Sequence, residues 1–110
     1  MTLAVARVTD KFLDTDTIAT GSGDVFVNNL PVARLTDMTL GHPGPPLYIG
    51  HGFYPPVPIS SGSGSVFVNN LPIARLTDKK LPHVDPPHPP VPPDLHDSVI
   101  STASGDVFSG

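Results

Sequence analysis

The amino-acid sequence predicts a small all-β protein in which three β-hairpin repeats close around a common axis. Three observations favour this fold class. A segment of seventeen residues occurs twice with near identity, its apolar and polar residues alternate with the period of a strand, and no window of ten or more residues has apolar side chains at helical spacing. Because 110 residues is close to the usual size of one domain, residues 1–110 are expected to form a single domain.

The repeat is the strongest signal. Residues 21–37, GSGDVFVNNLPVARLTD, recur as residues 62–78, GSGSVFVNNLPIARLTD, with two differences in seventeen positions. The second half of the unit also stands alone near the start, at residues 5–10, and the first half stands alone at residues 104–109. A linear solenoid would end on whole capping repeats, so a copy split between the two ends predicts pseudo-threefold closure with the last strand beside the first.

The sequence of each repeat predicts a β-hairpin. Residues 24–28 alternate around Val25 and Val27, and residues 31–37 resume the alternation after Asn28 and Asn29. Asparagine tolerates positive φ, so two consecutive asparagines suit the tight primed turn that joins antiparallel strands. A chain of this size buries a limited share of its surface, and a metal ion or a partner would add stability.

Composition excludes several classes of partner. The formal net charge is −4, and the six lysines and arginines are not clustered, which argues against a nucleic-acid partner and against an anionic membrane surface. No stretch approaches the roughly 18 apolar residues of a membrane span, and residues 1–10 alternate like a strand instead of resembling a secretion signal. The sequence has no cysteine, so a metal site must use histidine or carboxylate ligands.

The connectors between repeats form a separate surface. We call residues 11–20, 38–61 and 79–103 the first, second and third connectors. The two long ones contain thirteen of the fifteen prolines and all five histidines, whereas the first has neither. Proline runs favour the stiff polyproline II conformation, and rigid loops that leave one end of a threefold β body would form a point.

The repeat unit resembles the PAAR-repeat proteins, whose name-giving motif appears here as PVAR at residues 31–34 and PIAR at residues 72–75. The resemblance covers nearly the whole chain. It implies a sharp cone that caps the blunt end of a trimeric β-helical spike. The internal pseudosymmetry predicts one copy per trimer, with the long Pro- and His-rich loops at the apex. Such cones belong to contractile phage tails and type VI secretion systems, where they pierce the outer membrane of a target cell. Prolines and asparagines in place of a more glycine-rich unit favour a phage tail baseplate, with a secretion spike as the alternative.

The resemblance also implies a structural zinc ion near the apex, held in the family by three histidines and a cysteine. This chain departs from that pattern, since it has no cysteine and no histidine in its first connector. His42 and His83 both follow a repeat aspartate by five residues, so pseudosymmetry predicts equivalent positions near the axis. The expected ligands of zinc, or of iron, are His42, His51, His83 and His96, with His88 as a substitute. The alternative is that these are exposed loop histidines without a metal.

Two further functions remain open at the level of sequence. A catalytic metal site would need an open coordination position and a general acid or base, for which Asp85, Asp94 and Asp97 are near the histidines. Residues 86–93 could instead serve as a polyproline ligand for an aromatic groove. No nucleophile motif or phosphate-binding loop is present, so we expect a non-enzymatic protein without a small-molecule substrate.

Two sets of repeat residues invite alternative interpretations. The arginines and aspartates of the repeat could pair with each other or contact the spike, and structural pairing is favoured. The phenylalanines and the valines before them lie on opposite faces of their strands, so one set should fill the interior while the other forms an apolar docking face. These residues are Arg7, Arg34, Arg75, Asp10, Asp37, Asp78, Phe26, Phe67, Phe108, Val25, Val66 and Val107.

Overall fold

The structure is a computed structural model that describes residues 2–43, 53–85, 94–96 and 98–110. All regular secondary structure in these ranges is β, and they contain no helix, which confirms the all-β class. The strands are two or three residues long. They are β1 (Leu3–Ala4), β2 (Phe26–Val27), β3 (Leu30–Pro31), β4 (His42–Pro43), β5 (Phe53–Tyr54), β6 (Phe67–Val68), β7 (Leu71–Pro72), β8 (His83–Asp85), β9 (Asp94–His96) and β10 (Phe108–Ser109).

The two complete repeats form the predicted hairpins. β2 pairs antiparallel with β3, and β6 pairs with β7 in the same register. Asn28 and Asn29 join the first pair with φ values of 55° and 65°, and the asparagines of the second pair have 53° and 66°. Positive φ at both central positions gives the turn the twist of the flanking strands, so the prediction of a primed turn is confirmed.

The split repeat forms a third hairpin from the two ends of the described chain. β1 pairs antiparallel with β10, with Leu3 opposite Ser109 and Ala4 opposite Phe108. The last strand therefore lies beside the first, as the split repeat predicts. In this pair Ala4 faces Phe108 as Pro31 faces Phe26 in the first complete repeat.

The three hairpins are joined through a ring of backbone hydrogen bonds. The N–H of Ala6 donates to the carbonyl of Ala74, Ala74 donates to Ala33, and Ala33 donates to Ala6, each over 3.0 Å. All three alanines are fully buried. Their small side chains allow three backbones to meet at one point, where a larger residue would overpack the interior.

This ring explains why the strands are shorter than the sequence pattern indicates. The alternation over residues 31–37 predicts one continuous strand, but after β3 the chain changes partner: Val32 bridges Arg7, and Arg34 bridges Ile73. Residues 98–101 likewise change partner from one residue to the next, with a bridge from Val99 to Lys79 and another from Ile100 to Phe12.

The interior is filled from both halves of the repeats and from the connectors. One buried cluster contains Val5, Val32, Val68 and Ile73, and the other surrounds the three alanines with Phe12, Ile18, Ile59 and Ile100. The expectation that either the phenylalanines or the preceding valines fill the interior holds only for one valine, Val66. Val66 packs against the first cluster, but Val25 and Val107 are exposed. Most interior positions of the repeats are taken by residues that follow the turn, such as Val32 and Ile73, together with Val68, which precedes it.

Each repeat ends in a turn with a threonine at positive φ. Thr9, Thr36 and Thr77 have φ values of 79°, 75° and 73°. In each case the following aspartate N–H donates to the carbonyl of the arginine three residues earlier, for example from Asp37 to Arg34 over 3.0 Å. A β-branched residue is strained at this φ, so the surrounding hydrogen bonds must hold it there.

Two more hairpins belong to the long connectors. β4 pairs with β5, β8 pairs with β9, and β5 lies beside β8. The described part of the chain has no helix long and apolar enough to cross a membrane.

Candidate metal centre and docking face

The hairpins of the long connectors contain three of the predicted metal ligands. His42 is the first residue of β4 and pairs with Tyr54 of β5, while His83 is the first residue of β8 and pairs with His96 of β9. Because β5 lies beside β8, these three histidines belong to adjacent hairpins. His51 and His88 lie outside the described residues.

The donor set suits zinc, because neutral imidazole is one of its preferred ligands. Among the side chains that the structure describes, no group of three or more histidines or carboxylates is arranged to hold a metal ion. The side chains of His42, His83 and His96 are not among those described. The ligand set of His42, His51, His83 and His96, with His88, therefore stays a prediction.

A buried ion cluster lies where the connectors leave the β body. Lys80 occupies the repeat position held by Phe12 in the first connector and by Thr39 in the second, and all three are buried. Its Nζ donates to Oδ2 of Asp14 over 2.6 Å and to Oδ2 of Asp16 over 2.8 Å, and it lies 4.9 Å from the centre of the Phe12 ring. A buried ammonium needs such partners, because an unpaired charge is costly to desolvate.

The side chain of Asp16 links the first connector to the other two through hydrogen bonds. It lies in the first, its Oδ2 accepts from Lys80 of the third, and its Oδ1 accepts from the backbone N–H of Gly41 in the second over 2.9 Å. Sequence reasoning missed this cluster. The available signal was a lysine at a repeat position whose two counterparts are Phe12 and Thr39.

The arginines and aspartates of the repeats pair with each other, as favoured from the sequence. Oδ2 of Asp37 accepts hydrogen bonds of 2.8 Å from the backbone N–H and from Nε of Arg34, and Oδ1 accepts from Nη2 over 3.0 Å. The other two pairs repeat this geometry. The hydrogen bond to Asp37 raises the pKa of Arg34 above its ordinary value, so the guanidinium stays charged. These pairs fix the turns and are structural.

A second network joins neighbouring repeats at the surface. The Ser22 hydroxyl donates to Oδ1 of Asn69 over 2.7 Å, Nη1 of Arg34 donates to the same oxygen over 3.0 Å, and Asn69 donates to Asp24. Ser104, Arg7, Asn28 and Asp106 form the equivalent set. In the third set Gly110 occupies the asparagine position, and its carbonyl accepts from Nη1 of Arg75 over 3.1 Å.

The phenylalanines of the three hairpins form the most regular exposed apolar set in the described chain. Phe26, Phe67 and Phe108 occupy the same register position, and their exposed fractions are 55%, 56% and 56%. Val25 and Val107 beside them are also exposed. Large exposed apolar side chains in a regular set are typical of an interaction surface. We call Phe26, Phe67 and Phe108 the phenylalanine face.

A scan against protein-family models and a search of curated proteins found no match to this chain.

Proposed function

We propose that this protein is the non-enzymatic tip of a membrane-piercing spike: a pseudo-threefold cone that caps a trimeric β-helical protein, one copy per trimer. The favoured setting is a phage tail baseplate, and the alternative is the spike of a type VI secretion system. In either machine a contracting sheath would drive the spike outward. The tip would then concentrate the force on a small area of a target cell's outer membrane.

The observation that carries this proposal is the ring formed by Ala6, Ala33 and Ala74. It joins three sequence repeats cyclically within one chain, so each repeat meets the next in the same way. A single chain of this kind offers three similar edges, which match the end of a true threefold trimer. The Cα extents of 45 × 26 × 22 Å give one long axis, which is also compatible with a tip.

The phenylalanine face is the proposed docking surface. Its three members are equivalent by repeat, as a threefold partner requires, and each leaves more than half of its side chain exposed. The repeat arginines are not available for this role, because they are committed to the buried aspartates of their own turns. Apolar aromatic residues at the centre of an interface supply much of its binding energy.

The apex is proposed to consist of the two long connectors, tied together by a structural zinc or iron ion. Proline-rich sequence favours a stiff connector, and His42, His83 and His96 begin or end the two adjacent hairpins. When bound, the ion would join both connectors through imidazole nitrogens. A closed four-ligand site leaves no position for a reactive water, which fits a structural role.

The experiment that tests the docking surface compares two sets of three exposed residues. Phe26, Phe67 and Phe108 are changed together to aspartate in one variant, and the equally repeat-related Leu13, Leu40 and Leu81 are changed to aspartate in the other. Copurification with a partner identified as a trimeric β-helical protein is then measured. The phenylalanine variant should lose that partner and the leucine variant should keep it. The reverse pattern would contradict the proposal.

A further inference from the structure

The Lys80 cluster has the components of an amide-forming reaction. The side chains of Lys80 and Asp16 are both fully buried, with exposed fractions of 0%. Nζ of Lys80 lies 2.8 Å from Oδ2 of Asp16, so a nucleophilic nitrogen is in contact with a carboxyl group. Reactants held in contact within a rigid interior avoid most of the entropy cost of a bimolecular step.

The carboxyl group of Asp16 is polarised in the direction that attack requires. While Oδ2 faces the lysine, Oδ1 accepts hydrogen bonds of 2.9 Å from the backbone N–H groups of Thr17 and Gly41. Two fixed N–H donors on one oxygen form the arrangement that stabilises the oxyanion of a tetrahedral intermediate. Nζ can therefore add to Cγ while negative charge develops on Oδ1.

Asp14 is placed to transfer protons. Its Oδ2 accepts from Nζ of Lys80 over 2.6 Å, and its side chain is nearly buried, with an exposed fraction of 8%. An ammonium must lose a proton before it can attack a carbonyl carbon. A carboxylate in direct contact with the nitrogen can accept that proton and deliver it to the leaving oxygen.

The surroundings favour the product. The Phe12 ring lies 4.9 Å from Nζ, and Phe12 belongs to the buried cluster around the three alanines. Amide formation removes the charges of Lys80 and Asp16, whose side chains are fully buried, and leaves the charge of Asp14, which has the more exposed side chain of the three. A buried site also has little water to reverse the reaction.

From this geometry we infer that Lys80 and Asp16 join spontaneously in an intramolecular isopeptide bond, with Asp14 as the proton-transfer group. The bond between Nζ and Cγ forms, and the bond between Cγ and Oδ2 breaks. Two protons of the ammonium leave with Oδ2 as one molecule of water, and Asp14 ends as the carboxylate it began as. The reaction needs no oxidant, reductant or cofactor, and each chain reacts once.

The bond would link the first connector to the third across 64 positions of sequence. It would fix the start of β8, three residues after Lys80, to the β body. This inference does not depend on the proposed role as a spike tip, because it concerns the chemistry of the buried cluster alone.

Intact-mass spectrometry of the folded, then denatured, full chain tests the inference. The wild-type mass should be lower than the sequence mass by one water. Trypsin should release residues 12–34 attached to residues 80–110, since the modified Lys80 is no longer cleaved. Lys80→Met, Asp16→Ala and Asp14→Asn should retain the full mass, and Lys79→Met, which changes the exposed neighbouring lysine, should still lose one water.

Three results would overturn the inference. In the first, the wild-type chain has the full sequence mass, which contradicts the isopeptide bond whether or not the variants fold. Water could be lost without a branched peptide, which indicates a cyclic imide at an aspartate. Fragmentation could place the branch at Asp14, in which case Asp16 is not the reacting carboxyl group.

Discussion

The side-chain amide of Asn69 donates a hydrogen bond of 2.9 Å to Oδ1 of Asp24, although 45 positions separate the two residues. This contact joins the turn of one hairpin to the first strand region of another. Asn28 and Asp106 make the equivalent contact over 2.9 Å. The hydrogen bond from Asn69, and then that from Ser22, lowers the pKa of Asp24 below its ordinary value, and Asn28 and Ser104 do the same for Asp106.

These shifts predict a loss of stability in acid. A carboxyl group whose pKa is lower in the folded state stabilises the fold above its ordinary pKa, near about 4. The contribution disappears as the pH falls from there through the lowered value. The double variant Asp24→Asn and Asp106→Asn should therefore show a shallower decline in the free energy of unfolding below about pH 4, measured by urea denaturation at several pH values.

Ser65 offers a matched control for this prediction. It occupies the position of Asp24 in its repeat, but Gly110 takes the place of the asparagine partner. Ser65→Asp should add much less acid-dependent stability than Asp24 or Asp106 provides. If the free energy of unfolding fell equally steeply with pH in the wild type and in the double variant, these contacts would not be the cause of the loss of stability in acid.

Asp37→Asn should destabilise the protein strongly. Asp37 is buried and accepts hydrogen bonds from Arg34 and from the Thr20 hydroxyl, so the variant leaves a guanidinium without its counter-charge. Breaking a buried ion pair typically costs about 3 kcal/mol. Urea denaturation at neutral pH measures the loss, with the exposed Asp106→Asn as control. A loss no larger than that of the control would contradict the structural role of the pair.

Thr36→Gly should stabilise the protein, although glycine usually has the opposite effect. Thr36 is exposed and held at a φ of 75°, where a β-branched residue is strained and glycine is not. Relief of this strain should raise the free energy of unfolding by about 0.5–1 kcal/mol. Lys79→Gly, at an exposed position without positive φ, should lower it. A loss of stability in both variants would mean that the threonine turn is not strained.

Local chemistry made much of the fold predictable. The paired asparagines define the hairpin turns, and the split repeat requires β1 to lie beside β10. The absence of helical periodicity gave the fold class. In each case the determining residues are neighbours in sequence or copies of one unit, so the pattern carries the structural information.

The remaining features depend on contacts that no local pattern records. Alternation places Phe26 and Val25 on opposite faces but does not reveal that Val32 and Ile73 would fill the interior. The ion cluster joins Lys80 to Asp16, which lies in the short connector and has no counterpart in the other two. The histidine site depends on how two long connectors meet, which neither spacing nor composition determines.

The proposed metal centre predicts that the purified protein holds about one zinc or iron ion per chain. His83→Ala should lose most of it, because a missing ligand opens the site. Chelation should accelerate hydrogen exchange in the second and third connectors while the hairpins of the β body keep their protection. Elemental analysis that finds well under half an equivalent in carefully handled wild-type protein would support loop histidines without a metal.

The same preparations test the non-enzymatic assignment. A structural ion gives no turnover of esters, phosphates or peptides, before or after chelation. Metal-dependent hydrolysis that His42→Ala abolishes in a folded variant would instead favour a catalytic site.

The central claim is that one pseudo-threefold chain caps one threefold spike. Native mass spectrometry of the complex with its β-helical partner tests this claim most directly, because it counts chains. We expect one copy of this protein for three copies of the partner, because the cyclic contacts of Ala6, Ala33 and Ala74 lie within a single chain. Three copies per partner trimer would contradict it.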